Sequence, residues 1–390
     1  MLPLLHRAAY ILPCQPSDSR EGRAFNRQIV LNKRHRAESD LALLDHLRAL
    51  TFTFEREGTE LDAVLVYAEP VKDHPDRYQA VVAADTGFEG IACVDDTSRA
   101  AVLALRVHER SGSPTALDVA RRWLRFVAYM QYPDGSFANF IRNAAGVRNA
   151  SGPTSHRGGY WWSARALRAF ASAYRVTGKR EYLERFNACR LDPLPDGKIN
   201  GLLALAQLEL HRAGCREARA AALEHCDRIA EGTGSAPYLL DHPDTELVHL
   251  WGYHQLHALV EAGSTFDRLD YVALARRTVT SLVEPDIQAK MWHAYPTREK
   301  NGVTAYDVAP LVEALGAMFR ATGARRYHDL ALRAAAWFYG RNDARTAMYD
   351  LTTGRCRDGI TDGVASLNAG AESSIEAGLA ELIRRELMGI

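Results

Sequence analysis

One loose repeat runs through most of this chain of 390 residues and constrains its fold more than any other feature. Its unit is a helical stretch, a glycine, a short polar link and a second helical stretch with Tyr, Leu and Ala at core spacing. The clearest copies read HERSGSPTALDVARRWLRFV (108–127), RVTGKREYLERF (175–186) and RATGARRYHDLALRAAAWF (320–338). Glycine suits the end of a helix because it adopts the left-handed backbone conformation at little cost.

The repeat divides the chain into helical hairpins that predict a closed ring. Five hairpins span 97–131, 160–189, 197–230, 245–283 and 303–340, and a last helix over 367–387 can pair with a first helix over 37–50. Repeats that cannot bury their apolar faces alone must stack on their neighbours. Six such hairpins predict an all-α fold, the (α/α)6 barrel or six-hairpin toroid.

The domain organisation follows from the same pattern. We expect residues 37–390 to form one toroid domain, preceded by an irregular N-terminal segment over 1–36. Residues 51–55 and 62–69 combine alternating and β-branched residues, so they predict a small β-hairpin near the start of the domain.

Composition removes several classes of function. The chain carries 48 basic and 48 acidic residues, so neither a nucleic acid nor an anionic membrane is expected as a partner. The six cysteines lack Cys-x-x-Cys spacing, which favours reduced thiols over disulfides or a zinc site. The start, MLPLLHRAAYILPC, is interrupted by Arg7 and predicts no signal peptide or membrane span. We therefore expect a cytoplasmic protein.

Polar and aromatic residues stand where the inner helices of such a ring begin. All inner helices run in the same direction, so their N-terminal ends meet on one face. The residues at these starts include Asp95, Asp96, Trp161, Trp162, Glu246, His249, Trp251, Tyr306, Asp307, Asn368 and Glu372. Asp95 and Asp96 alone would most simply be capping residues. The indoles are too large for caps, so the set predicts a sugar-binding cleft.

Paired carboxylates in this cleft suggest a hydrolase. An inverting glycosidase needs an acid and a base about 6.5–9.5 Å apart. We expect Glu372 to be the acid and Asp95 or Asp96 the base. The remaining residues of the set, with Arg165 and Arg357, are expected to bind the substrate. Histidines between 242 and 257 lack the His-Glu-x-x-His spacing of a zinc site, so no metal or cofactor is expected.

Two other chemistries remain open. Epimerisation or elimination on a uronic acid would use arginines such as Arg99, Arg157, Arg165 and Arg357 to bind the carboxylate, with His249 or Tyr306 transferring the proton. The string VDDT over 94–97 also superficially resembles the protonating motif of class II terpene cyclases. Cys93 stands where that motif has an Asp, and the charged cleft does not suit a hydrocarbon, so this is the minor alternative.

Four segments resemble a bacterial family of six-hairpin proteins that occur alone or beside glycosyltransferases. They are CVDDTSRA (93–100), Q-x-x-DGSFANF (131–140), GRND to GRCRDGI (340–360) and LNAGAESS (367–374). The family is related in fold to glycoside hydrolases and sugar epimerases. The resemblance covers the chain from about residue 85 onward. It implies the toroid fold, an oligosaccharide or polysaccharide substrate and a glycosyltransferase partner.

The chain departs from this family at one place. Tyr160-Trp161-Trp162-Ser163 stands where the family more usually has a Ser-Glu-Asp string, although Arg165 is kept. Because the substitution removes acidic residues, a non-catalytic glycan-binding partner of a glycosyltransferase is a further interpretation of the same sequence.

Overall fold

The computed structural model describes residues 38–80 and 89–390, without the side chains of Pro75 and Asp76. The expected irregular segment over 1–36 lies outside the described residues. The α-helices are, in chain order, α1 (Asp45–Ala49), α2 (Val94–Ser111), α3 (Pro114–Tyr129), α4 (Tyr160–Thr177), α5 (Arg180–Ala188), α6 (Gly197–Arg212), α7 (Ala218–Thr233), α8 (Gln255–Phe266), α9 (Leu269–Thr278), α10 (Glu284–Gln288), α11 (Ala305–Thr322), α12 (Arg325–Ala335) and α13 (Ala371–Met388).

Six of these helices form an inner ring. Helix α2 packs against α4, which is followed around the ring by α6, α8, α11 and α13, and α13 returns to α2. Helices α3, α5, α7, α9 and α12 each follow an inner helix and pack outside it. Helix α1 packs against α13 in the sixth outer position. The described chain is therefore the predicted (α/α)6 toroid.

Glycine caps the inner helices of the first, second and fifth hairpins, where the repeat predicts. Gly112, Gly178 and Gly323 cap α2, α4 and α11 with φ of 71°, 67° and 65°. In the fourth hairpin, Gly263 lies inside α8, and Asp267 takes the left-handed cap with φ of 60°. A Cβ on Gly263 would approach Val272 Cγ2 to 2.8 Å, so this glycine permits close packing of α8 against α9.

Short antiparallel strands occupy the connections. They are β1 (Thr51–Arg56), β2 (Thr59–Val64), β3 (Ala68–Val71), β4 (His74–Ala80), β5 (Ala92–Cys93), β6 (Phe140–Ile141), β7 (Val248–His249), β8 (Ala294–Tyr295), β9 (Val303–Thr304), β10 (Tyr349–Asp350), β11 (Arg355–Cys356), β12 (Gly359–Thr361) and β13 (Val364–Ala365). Strands β5, β7 and β9 lie shortly before α2, α8 and α11, so they shape the face on which the inner helices begin.

The N-terminal β-hairpin exists, but its second strand, β2, begins at Thr59, three residues before the predicted start at residue 62. Strand β1 pairs with β2, and the predicted range 62–69 spans the end of β2 and the start of a second hairpin, β3–β4. The reason is a two-residue turn at Glu57 and Gly58, with φ of 52° and 73°, which returns the chain at Thr59.

The inner helices are buried over most of their length because neighbours cover them on both sides. Helix α11, for example, is buried from Ala305 to Met318, including the ionisable Asp307 and Glu313. Within the described residues, no helix is long and apolar enough to cross a lipid bilayer.

Candidate active site

Four carboxylates from two inner helices converge on one guanidinium group. Arg99 Nη2 on α2 lies 2.9 Å from Asp95 Oδ1, 2.6 Å from Asp96 Oδ1 and 3.0 Å from Glu372 Oε2. Its Nη1 donates to Glu376 Oε1 on α13 at 2.8 Å. This group of side chains therefore also joins the last inner helix to the first.

A second guanidinium group lies beside the first. Arg165 on α4 forms an ion pair with Asp95 and donates from Nη2 to the Tyr306 hydroxyl at 2.8 Å. Tyr306 Oη also lies 2.8 Å from His254 Nε2. We call Asp95, Asp96, Arg99, Arg165, Glu372 and Glu376 the Arg99 cluster.

Aromatic rings form one wall of the cluster. The rings of Trp161 and Trp251 meet edge to face at 5.1 Å, and Trp251 meets Tyr306 at 4.8 Å. The Arg165 guanidinium lies over both indoles at 5.3 Å, a cation–π geometry. The Trp251 indole N–H donates to Glu372 Oε1 at 3.3 Å, so the aromatic wall also orients a carboxylate.

The start of α2 positions the Asp pair. Cys93 is the N-cap, and its sulfur accepts from the Asp96 amide at 3.3 Å. The Asp95 amide donates to the side chain of Asn139 at 3.1 Å. With these two amides occupied, both carboxylates lie in the first turn, where the helix dipole favours negative charge.

Burial raises several proton affinities in and beside the cluster. Desolvation raises the pKa of Asp96 to about 6, against the opposing effect of Arg99. It raises the pKa of Glu376 to about 7 and that of Asp358, which accepts from the Gly370 amide, to about 6. Burial also raises the pKa of Tyr306 to about 12 and holds the pKa of His254 well below its usual value.

Seven of the predicted site residues meet here. They are Asp95, Asp96, Trp161, Arg165, Trp251, Tyr306 and Glu372. The side chain of Glu372 keeps 32% of its surface exposed, against 16% for Asp95 and 9% for Asp96. Glu372 is therefore the carboxylate of the three that is most open to a ligand.

Two predicted residues have structural contacts instead. Trp162 is buried, donates its indole N–H to the Phe137 carbonyl at 3.1 Å and packs its ring against His156. Asp307 is fully buried and forms a capping box with Thr304, whose amide it accepts at 2.7 Å. Their role in substrate binding remains a prediction.

Three others lie outside the Arg99 cluster. Glu246 is exposed, and its backbone carbonyl accepts from Tyr238. Arg357 donates to the Ser366 carbonyl at 3.2 Å. Asn368 donates its side-chain amide to the Tyr67 hydroxyl. Among the residues described, none of these three forms a hydrogen bond or an ion pair with a member of the cluster.

A pair of part-exposed histidines lies near the start of α11. The rings of His249 and His293 are 5.9 Å apart. His293 Nδ1 lies 3.2 Å from Asp307 Oδ1, a hydrogen bond that raises the pKa of His293. His249 Nδ1 lies 3.7 Å from Asp241 Oδ2, which also pairs with Lys198 at 3.0 Å. Of this group, only His249 and Asp307 were predicted from the sequence as site residues.

Glu376 and His254 are members of the site that sequence reasoning did not assign to it. Glu376 follows Glu372 by four residues, which places both on one face of α13, and this spacing could have identified it. His254 precedes α8 directly and contacts Tyr306. His254 and Tyr306 are far apart in the sequence, and only the packing of α8 against α11 brings their side chains together.

The types of side chain in the site determine which chemistry it can perform. Among the residues described, no group of three or more His, Cys, Asp or Glu side chains is arranged to hold a metal ion. The cluster combines carboxylates, guanidinium groups and indoles, so it can bind hydroxyls and transfer protons. Its density of charge differs from the apolar cavity that the terpene cyclase alternative requires.

Solved structures share this fold at low sequence identity. A sugar epimerase from a ruminal bacterium matches with a TM-score of 0.64 and 12% identity, covering 88% of this chain and 96% of its own. Cellobiose 2-epimerase from Bacillus thermoamylovorans matches with a TM-score of 0.62 and 12% identity, covering 92% of this chain and 100% of its own. Both resemblances are at the level of the fold.

A solved structure of a glycoside hydrolase is also similar to this chain in fold. It is an α-1,6-mannanase of Salegentibacter in complex with α-1,6-mannotriose, an inactive variant with two consecutive aspartates changed to asparagine. It matches with a TM-score of 0.57 and 10% identity over 90% of this chain and 99% of its own. No family model and no curated protein matches the sequence. The fold is thus related to those of glycoside hydrolases and sugar epimerases.

Proposed function

We propose that this protein is a carbohydrate-active enzyme that hydrolyses glycosidic bonds of an oligosaccharide or polysaccharide where its inner helices begin. One observation carries the proposal. Asp95, Asp96 and the partly exposed Glu372 lie together beside the Trp161 and Trp251 rings. Carboxylates and indoles in one site suit the hydroxyls and the apolar faces of a sugar. The mannanase that shares the fold is inactive when two consecutive aspartates are replaced, and Asp95–Asp96 is such a pair.

The spacing of the carboxylates bears on the mechanism. Asp96 and Glu372 both bind Arg99 Nη2, at 2.6 and 3.0 Å, so their nearest oxygens are closer than the roughly 6.5–9.5 Å of an inverting pair. Retaining enzymes use a shorter separation of roughly 5–5.5 Å. The arrangement therefore favours retention over the inversion predicted from the sequence.

The proton affinities suggest the roles within such a pair. Desolvation raises the pKa of Asp96 to about 6, so Asp96 can hold a proton for the leaving oxygen under mildly acidic conditions. Glu372, the more exposed carboxylate, is then the nucleophile. This assignment exchanges the roles expected from the sequence, where Glu372 was the acid.

A panel of oligosaccharides tests the proposal. Purified protein is incubated with gluco-, manno- and galacto-oligosaccharides, and proton NMR identifies both the cleaved bond and the anomer released first. We expect Asp96→Asn and Glu372→Gln each to lower kcat by about 100-fold or more. The matched surface variants Asp118→Asn on α3 and Glu224→Gln on α7 should retain activity. Hydrolysis that survives both cluster substitutions would show that the catalytic assignment is wrong.

Epimerisation is a second candidate because of the histidine pair. Two imidazoles in edge-to-face contact, with ring centres 5.9 Å apart and each near a carboxylate, can remove a proton from a carbon of a bound sugar and return one to it. Incubation in deuterium oxide would then place deuterium on a sugar carbon, and His293→Asn should abolish the exchange. No deuterium on carbon, together with cleavage of the glycan, would exclude this candidate.

The same panel of oligosaccharides distinguishes a protein that only binds glycans from an enzyme that changes them. If wild-type protein binds a glycan, as seen by saturation-transfer NMR, but leaves both its linkages and its carbon-bound hydrogens unchanged, it acts as a glycan-binding protein. A pull-down with a glycosyltransferase would then test the partner that the sequence resemblance implies.

A further inference from the structure

The Arg99 cluster contains more negative than positive groups. Its four carboxylates face only two guanidinium groups, those of Arg99 and Arg165. Asp358 adds another carboxylate close by, since Glu372 and Asp96 raise its pKa in addition to burial. The site at the start of the inner helices therefore carries surplus negative charge when its acids are ionised.

Neither guanidinium group is free to bind a substrate anion. Arg99 contacts all four carboxylates, and its side chain is only 8% exposed. Arg165 is 1% exposed and is held by Asp95, the Tyr306 hydroxyl and the faces of Trp161 and Trp251. A substrate carboxylate would have to break these contacts and would leave buried carboxylates without a partner.

The next cation around the ring is also paired. Lys198 Nζ lies 5.8 Å from the centre of the Trp161 ring, which places it at the aromatic wall. It forms an ion pair with Asp241 at 3.0 Å, and both side chains are largely buried. The other oxygen of Asp241 accepts from the side-chain amide of Gln255. Lys198 thus adds no unpaired positive charge to the site.

The group that remains open is an acceptor. Glu372 is the most exposed of the four carboxylates in the cluster, and its two oxygens are oriented by the Trp251 indole and by Arg99. A carboxylate in this position accepts hydrogen bonds from hydroxyl or ammonium groups and repels other carboxylates.

We infer that the sugar residue bound at this site carries no negative charge: the site selects neutral or amino sugars and excludes uronic acids and other acidic sugars. The inference rests on the proposed function and narrows its substrate class. It also argues against the uronic-acid epimerase or lyase that the sequence left open, because Arg99 and Arg165, two of the arginines expected to bind the C6 carboxylate, are already paired with carboxylates of the protein.

Matched pairs of glycans test the inference. Each member of a panel of gluco-, manno- and galacto-oligosaccharides is compared with the same compound after oxidation of C6 to a carboxylate, and chitosan oligosaccharides provide the amino sugars. Binding is measured at pH 8, where Asp96 and Glu376, with pKa values of about 6 and about 7, are ionised. We expect the oxidised member of every bound pair to have a Kd at least tenfold higher. A smaller ratio, or preferential binding of the oxidised member, would overturn the inference.

A charge variant separates repulsion from loss of the C6 hydroxyl. Glu376→Gln removes a charge from the fully buried side of the cluster. If repulsion excludes acidic sugars, the ratio of the two Kd values should fall by about threefold or more, whereas Glu224→Gln on the outer helix α7 should leave it unchanged. An unchanged ratio in Glu376→Gln would mean that charge is not the cause. If neither neutral, amino nor oxidised glycans bind, the proposed function itself is wrong.

Discussion

At the scale of residues, the site depends on one buried cation. Arg99 compensates carboxylates from α2 and α13 that would otherwise repel one another in a region with little water. Such a pairing need not stabilise the fold relative to apolar packing, but removal of one partner is costly because charges are left buried alone. The arrangement holds Glu372 and the Asp pair close together, and this is a property of four residues rather than of any single motif.

We expect Arg99→Met to lower the free energy of unfolding by about 3–5 kcal/mol, because it leaves buried carboxylates without a cation. Urea denaturation followed by circular dichroism measures the change. The control is Arg48→Met, which removes the ion pair with Asp45 at the surface, where both side chains are almost half exposed, and should cost less than about 1 kcal/mol. Equal effects of the two substitutions would refute the role given to Arg99.

Stability should also depend on pH through the buried acids. Burial raises the pKa of Asp96 from 3.8 to about 6 and that of Glu376 from 4.5 to about 7. The folded protein therefore keeps protons that the unfolded chain releases. The free energy of unfolding should fall as the pH rises from about 4 to 7, through Asp96 up to about pH 6 and through Glu376 up to about pH 7, by up to roughly 1.4 kcal/mol per pH unit for each group. Urea denaturation at several pH values should show a shallower decline for Glu376→Gln. A decline as steep as in the wild type would contradict the assignment.

At the scale of elements, the site requires the inner helices to pack closely near their starts. Gly201 on α6 faces the backbone that leads into α8, and a Cβ there would lie 2.7 Å from the Gln255 amide nitrogen and 2.8 Å from the His254 carbonyl carbon. Backbone cannot move aside as a side chain can. The position of His254 against Tyr306 therefore depends on a missing side chain in a neighbouring helix.

Gly201→Ala should lower the free energy of unfolding by about 1–3 kcal/mol through overpacking, despite the better helix propensity of alanine. Gly378→Ala in α13 is the matched control, since its new Cβ would meet only the end of the Leu103 side chain, at 2.7 Å. We expect the control to be close to neutral in chemical denaturation. If Gly201→Ala is as stable as the control, close approach of α6 and α8 is not required.

At the scale of the whole molecule, the ring is closed by contacts between the first and last parts of the described chain. Asp40, which is 1% exposed, pairs with Arg110 at the end of α2 and with Arg385 at the end of α13. Glu381 supports the same Arg385. The ion pairs lie at the opposite ends of the helices from the Arg99 cluster, so α2 and α13 are joined by charge at both ends.

Asp40→Asn should destabilise the whole ring, because two arginines lose their shared carboxylate. We expect the free energy of unfolding to fall by about 3 kcal/mol in a single cooperative transition, recorded by both circular dichroism and tryptophan fluorescence. Asp45→Asn, which affects an exposed pair five residues away, provides the comparison. An early separate transition for Asp40→Asn would mean that ring closure is not coupled to the rest of the fold.

The sequence by itself determined the helices, their pairing into hairpins and the face on which Asp95, Trp161, Tyr306 and Glu372 would be found. These features follow from local causes: apolar periodicity defines each helix, and glycine in the left-handed conformation ends most of the inner ones. The second strand of the first hairpin begins three residues earlier than the sequence predicts. The reason is that the turn before it consists of only two residues, Glu57 and Gly58, and so short a turn is hard to recognise from composition.

Only the tertiary structure decided which of the residues at the helix starts face one another. Trp161 and Trp162 are adjacent in sequence, but one residue turns a helix by about 100°, so Trp161 meets Trp251 while Trp162 packs under the Phe137 loop. The same rotation separates Tyr306 from Asp307: the Tyr306 side chain reaches the site, whereas Asp307 forms the capping box with Thr304 at the start of α11. Contacts across the ring, such as Arg99 to Glu376 and Tyr306 to His254, depend on the packing of helices that are far apart in the chain. A local sequence pattern carries no information about that packing.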